Sequence, residues 1–214
     1  MELIKMSYLN RCLAALLMLL VSFTANASWD EARDAVEQAS ASMMTVLENE
    51  VLKQPEQPEL LINEIETILN PVVDFDYVSK RVMGKYFRRV NAQQQQEFSG
   101  VFKDTMVRTF AKSLVGFDIV RYEMAPQGKP SPKVEKQIVS VYIYSSLGQQ
   151  YTLVYYMLKQ ADGWKLVNVL VDGINLRLNF KNQFSDMVSR SGGDVKQVIA
   201  DWKMAMANNS SKDS

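Results

Sequence analysis

No histidine occurs anywhere in the 214 residues, and the only cysteine is Cys12. Without imidazole the chain lacks the commonest general base and the commonest catalytic metal ligand. It also has no histidine to activate a serine or cysteine nucleophile. Cys12 falls in a stretch that reads as a leader. Lys5 and Arg11 make it basic, residues 12–21 are the apolar run CLAALLMLLV, and Ala25-Asn26-Ala27 fits a small-x-small cleavage pattern. The run is shorter than the ~20 apolar residues of a comfortable membrane span. Residues 1–27 are therefore expected to be a cleaved signal peptide rather than an uncleaved anchor, and residues 28–214 a single exported domain. Cys12 stands at the start of the apolar run, not after it, so it is misplaced for a lipoprotein attachment site. A chain beginning at Ser28 has no thiol, hence no disulfide, thiolate ligand or cysteine nucleophile. Export without disulfides fits a periplasm better than an extracellular medium.

Excess charge is missing too. Lysine plus arginine number 24 and aspartate plus glutamate 24; removing Lys5, Arg11 and Glu2 leaves 22 against 23, a net charge of −1. A nucleic-acid binder would usually be basic overall. There is no phosphate loop, because Gly192-Gly193 is not followed by Lys-Ser/Thr. No internal repeat is present, and residues 93–96 form the only low-complexity run.

The pivot of the chain is residues 164–184, WKLVNVLVDGINLRLNFKNQF. Its first half is an apolar strand that needs cover on both faces. Its second half has helical spacing, and Asp172-Gly173 makes the corner between them. Upstream, Ser28 and Glu31 have capping-box spacing, and Ala32, Val36, Ala39 and Met43 predict a helix to about Lys53. A turn at residues 55–58 precedes a helix over 59–69. A third helix starts near Asp74 or Asp76 and runs to Val90. A fourth is capped by Asn91 with Gln94 and closed by Gly116. The period then changes. Strands are expected over residues 118–124, 133–145, 151–159 and from Trp164, and helices follow to about Ser191 and over 194–207. The fold class is α+β, with helices packed on a curved four-stranded antiparallel sheet that forms a cone with an apolar interior.

Carboxylate chemistry has two candidate positions. Asp74 and Asp76 could contribute to a metal site but suit a helix N-terminus better. Asp172 could serve as a pocket carboxylate beside Tyr155, as in a cone-fold isomerase, but reads more simply as a turn residue that caps the next helix. What the sequence has in quantity is large, soft apolar side chains: 12 Met, 9 Phe and 9 Tyr. Such residues line adaptable apolar cavities. The one local charge asymmetry is the stripe Arg81, Lys85 and Arg88, flanked by Lys80 and Arg89. It is either a solvated face or a docking surface for acidic headgroups or an acidic partner.

Three segments carry a family resemblance. They are Val73-Asp74-Phe75 leading to Val82-Met83-Gly84-Lys85-Tyr86; Phe98 to Phe110 after the glutamine run; and Trp164-Lys165 through Val171-Asp172-Gly173-Ile174-Asn175, Asn179-Phe180-Lys181 and Phe184. On these the chain resembles the MlaC, or toluene-tolerance, family of periplasmic phospholipid-binding proteins. It departs at Asn168, where the family often has Asp, at Asn175, where it has Ser, and at Phe180-Lys181, where it has Tyr-Arg. The resemblance implies a cone related to nuclear-transport-factor and cystatin-like folds. It implies a carrier, not an enzyme, that works without a cofactor. Its ligand would be a phospholipid. Its partners would be an inner-membrane ABC transporter complex with a substrate-binding ring and an outer-membrane lipoprotein–porin complex, and its role the upkeep of outer-membrane lipid asymmetry. A monomer is expected. The residues expected to meet lipid are Val73, Phe75, Val82, Tyr86, Phe102, Met106 and Phe110 from the helices. From the sheet and its corner they are Val141, Ile143, Leu153, Tyr155, Val169, Val171 and Ile174. A periplasmic chaperone or scaffold is a third reading and would show an exposed apolar surface instead of a cavity.

Overall fold

The computed structural model describes residues 28–52, 54, 56 and 58–210. The leader with Cys12, Lys53 at the expected end of the first helix, Pro55 and Gln57 of the expected turn, and residues 211–214 of the expected polar tail lie outside the described residues. Helix α1 spans residues 28–48. Its expected capping box does not form, because its first turn is tied to the sheet instead. Ser28 donates to the Val134 carbonyl, the Trp29 indole donates to the Ile138 carbonyl at 3.0 Å, and Glu31 accepts from Lys159 and from the Trp164 indole at 3.2 Å. Helix α2, Pro58–Leu69, starts on proline, whose missing N–H is no loss in a first turn.

Asp74 caps α3 (Phe75–Met83), accepting from the Tyr77 amide at 2.8 Å. The single helix expected to Val90 is broken. Gly84 sits at φ 55°, and the chain continues as a 3-10 turn, Gly84–Arg89. The capping box of α4 (Ala92–Phe117) forms as read: Asn91 and Gln94 each bond the other's backbone. That helix runs past Gly116 and ends on Asp118, which takes the left-handed conformation at φ 41°.

Among the described residues the sheet has five strands, not four: β1 Ile119–Met124, β2 Lys136–Ser145, β3 Gln150–Gln160, β4 Gly163–Val171 and β5 Ile174–Asn175, antiparallel in that order. The extra strand comes from the corner. Asp172 at φ 47° and Gly173 at φ 81° are both left-handed, which is the two-residue hairpin geometry that an Asp-Gly pair favours. The chain therefore turns back along β4, with Val171 opposite Ile174, before helix α5 (Leu176–Arg190) begins. Asn175, not Asp172, caps that helix, accepting from the Leu178 amide at 3.0 Å. Helix α6, Val195–Ser210, is the last element among the described residues.

Register decides which side chains share a face. Val139, Tyr155 and Val169 are cross-strand neighbours, as are Val141, Leu153 and Val171. A bulge between Tyr156 and Met157 sets Met157 against Leu166 and leaves Val167 over. On the opposite face the Ile138–Tyr156 pair stays open, 47% and 36% exposed. The helices form two unequal packing regions along α4. At its N-terminal end Phe98 and Phe102 sit in an aromatic cluster with Tyr86, Phe184 and Trp202; the Phe98–Phe184 rings are 4.8 Å apart and edge-on. Toward its C-terminal end Val107, Ala111 and Leu114 pack against Leu61 and Ile65 of α2 and Val46 and Leu47 of α1. Between α1 and the sheet a third cluster joins Ala32 and Val36 to Val139, Val141, Met157 and Trp164.

Candidate functional site: an apolar cavity

Beyond these contacts α1 does not close down on the sheet. A cavity of ≈ 500 Å³ opens between them. Ala35, Val36, Ala39, Met43, Met44 and Leu47 of α1 form one wall. Ile68, Leu69, Val72 and Val73 close one side, and Phe110 and Leu114 of α4 another. The sheet contributes Ile119, Tyr122, Val141, Ile143, Tyr151, Leu153, Tyr155, Met157, Leu166 and Val171, with Ile174 and Leu176 at the corner. Phe110 and Ile174 line the cavity yet are 37% and 56% exposed, which places them at its mouth.

The few polar groups in the wall are mostly occupied. Ser40 donates to the Val36 carbonyl and Ser113 to the Thr109 carbonyl, each at helical i−4 spacing. Tyr151 donates to Gln149 at 2.6 Å. Among the described residues Asp172 is the only ionisable acid or base in the lining besides tyrosine, and its carboxylate accepts from the Thr152 amide at 2.7 Å. Burial pushes the Tyr155 phenol well above the usual tyrosine range, so it stays protonated. The pair imagined for an isomerase is not assembled. Asp172 engages Thr152, and Tyr155 lies three residues further along β3, roughly 10 Å away at the strand rise.

Of the residues expected to meet lipid, Val73, Phe110, Val141, Ile143, Leu153, Tyr155, Val171 and Ile174 line the cavity. The others lie elsewhere. Val82, Tyr86 and Phe102 are buried in the aromatic cluster, and Met106 packs against it. Phe75 packs on the α1–α2–α4 cluster and borders a separate polar cleft. Val169 shares the face of Tyr155 but is not in the wall. The helical stripes were apolar in both packing regions, and spacing alone does not say which region a stripe enters. The α1 and α2 contributions were not anticipated. Their signal was available in the small-and-flexible series Ala35, Ala39, Met43, Met44, which leaves room against a sheet.

The polar cleft lies across Val73, which lines both hollows. Asp74 caps α3 there and also accepts from Gln160, while Asp76 accepts from the Ser99 hydroxyl. Neither carboxylate stands free. The basic stripe lies apart from the cavity on α3 and the 3-10 turn. Arg81 stacks over Tyr77 at 4.9 Å, Lys80 over Phe87 at 5.1 Å, and Lys85 and Arg89 over Tyr86 at 5.1 and 5.2 Å. All five cations of residues 80–89 are exposed, and none has a carboxylate partner among the described residues. Among the described residues no helix is long and apolar enough to cross a membrane.

A helix laid over a sheet, with a hydrocarbon-lined hollow between them and no free charge in its wall, is the architecture of a small binding protein for apolar or amphiphilic molecules. The chain belongs to the MlaC family, whose model, described as MlaC protein, matches residues 37–204. It is 27% identical over 170 residues to the toluene tolerance protein ttg2D of Pseudomonas putida, covering 79% of this chain and 78% of that one. It is 18% identical over 170 residues to the intermembrane phospholipid transport system binding protein MlaC of Haemophilus influenzae, covering 75% and 76%. Among solved structures, a phospholipid-binding protein from Ralstonia solanacearum in complex with a phospholipid superposes with a TM-score of 0.70. It is 22% identical and covers 83% of this chain and 99% of that one, which establishes a shared fold.

Proposed function

We propose that the protein is a phospholipid carrier that shields acyl chains in the cavity between α1 and the sheet. The observation that carries this reading is the wall itself: apolar side chains around ≈ 500 Å³, with the serine hydroxyls and the Asp172 carboxylate already bonded within the chain. Two acyl chains hold roughly 30 methylenes at about 0.8 kcal/mol each, so a free lipid faces a barrier on the order of 20 kcal/mol to crossing water. A carrier must match the hydrocarbon environment without greatly bettering it, or it could not release its cargo. A wall with few polar anchors does this, and it leaves the headgroup at the mouth near Phe110 and Ile174. The bonded Asp172 and its separation from Tyr155 weigh against the isomerase alternative.

On this reading residues 1–27 are removed on export, and the monomer of residues 28–214 works in the periplasm. It exchanges lipid with an inner-membrane ABC transporter complex bearing a substrate-binding ring and with an outer-membrane lipoprotein–porin complex, so maintaining outer-membrane asymmetry. The relatives' names support the lipid and the transport. The cone-like shape of nuclear-transport-factor and cystatin-like folds is part of the same reading. Arg81, Lys85 and Arg88 are the docking candidates, because exposed cations without carboxylate partners await an anionic surface.

Native mass spectrometry of protein released from the periplasm without detergent, with lipid extraction in parallel, tests the carrier. One phospholipid mass per chain is expected. A ligand-free mass together with no uptake from phospholipid vesicles overturns it. Reversing Arg81, Lys85 and Arg88 to Glu tests docking. Transfer to membranes should slow, most at low salt, with the fold intact; unchanged transfer removes the stripe from the proposal.

A further inference from the structure

Tyr155 occupies the middle of β3, the central strand, between Val139 and Val169. Its ring packs against the α1–sheet cluster, and its side chain lines the cavity. Most other polar groups of the wall differ from it. Ser40, Ser113, Tyr151 and Asp172 have partners within the chain, and Tyr122 stands on the edge strand β1. The Tyr155 hydroxyl has no hydrogen-bond partner among the described residues. Tyr155 is half-buried and lines an apolar wall, where an unmet donor is unfavourable once water is displaced. Desolvation also keeps this phenol protonated, so its O–H is available to an acceptor that enters the cavity.

We propose that the Tyr155 hydroxyl donates a hydrogen bond to a neutral acceptor oxygen of the bound amphiphile, an acyl ester carbonyl held at the depth of the central strand. This rests on the phospholipid reading above. Among the described residues no lysine or arginine lines the cavity, so a phosphate buried at this depth would meet no counter-charge there. An ester carbonyl is uncharged, accepts well, and is bonded directly to the acyl chain that the wall receives. Tyr155 is thus the residue that fixes how deep the chains enter and selects esters over hydrocarbons alone.

The test crosses two lipids with two proteins. A diacyl phosphatidylcholine and its dialkyl ether analogue of equal chain length each displace a fluorescent phospholipid from wild type and from Tyr155→Phe. Wild type should hold the ester lipid three- to tenfold tighter than the ether, about 0.7–1.4 kcal/mol. Tyr155→Phe should hold both alike, at the ether level, with an unchanged or raised thermal midpoint. The infrared carbonyl stretch of a labelled ester should move to higher frequency in the variant. Equal ester-to-ether ratios in the two proteins overturn the role of Tyr155 while leaving the carrier standing. Failure of wild type to bind either lipid overturns the carrier reading and this inference with it.

Discussion

Placing one carboxylate in the cavity wall tests whether hydrocarbon goes there. Leu153 sits on the central strand opposite Val141 and Val171 and lines the hollow. In Leu153→Asp without ligand, water entering the cavity can solvate the new charge, so the fold should survive with a modest loss of stability. Loading an acyl chain strips that water away. The least unfavourable response is for the carboxylate to take up a proton, and from an ordinary pKa near 3.9 this costs about 4 kcal/mol at pH 7. Affinity for phospholipid should therefore fall by up to roughly a thousandfold at pH 7. It should recover by about tenfold for each pH unit lowered, until the carboxylate is protonated without ligand near pH 4. Leu153→Asn, similar in size and uncharged, should weaken binding far less and show no such pH slope. Displacement titrations of a fluorescent phospholipid between pH 4 and 8, with circular dichroism to confirm folding, provide the measurement. Folded Leu153→Asp that binds within about threefold of Leu153→Asn at pH 7 would show that acyl chains do not pack against this wall.

Three further outcomes follow from the packing. Phe98→Ala should cost about 3–5 kcal/mol in urea unfolding, because Phe98 is fully buried among Phe102, Phe184 and Trp202; its effect on lipid affinity in the folded protein should be small. Gly173→Ala should destabilise by about 1–2 kcal/mol, since φ is 81° at that turn, and a thermal melt would detect it. Lys159, with the Trp164 indole, holds the Glu31 carboxyl below its ordinary value of 4.5. A depressed folded value means that Glu31's contribution is complete above its unfolded value and is lost as pH falls through the folded one. Glu31→Gln should therefore lower the midpoint at pH 7 and flatten its decline below about pH 4.5; identical pH profiles would refute the tie.

Local signals in the sequence translated well into structure, and those that depend on packing did not. Asn91 and Gln94 were legible because both halves of the capping box lie within one turn. Ser28 and Glu31 have the same spacing, yet Trp164, Lys159 and Val134 claim their side chains from more than 100 residues away. Asp172-Gly173 was recognised as a sharp corner, but its hairpin form depends on two residues continuing along β4, too short a strand to leave a periodic trace. For the site, sheet residues were easier to place than helical ones. Val141, Ile143, Leu153 and Tyr155 had to face one way or the other, and that face is the hollow one. Phe102 and Phe110 lie only two turns apart on α4, but one is sealed in aromatic rings and the other stands at the cavity mouth.

That difference along α4 gives the molecule a hard end and a compliant one. The aromatic cluster is buried and its rings pack against one another, whereas the space beneath α1 is hollow and, on the carrier reading, takes up and gives up hydrocarbon. Hydrostatic pressure acts on such differences, because unfolding under pressure is driven by the void volume it eliminates. Hydrocarbon in the cavity removes part of that volume. If the cavity takes hydrocarbon as proposed, the loaded and unloaded forms should therefore separate more clearly in compressibility and pressure of unfolding than in any spectroscopic measure of backbone structure, and volume would be the coordinate along which cargo registers.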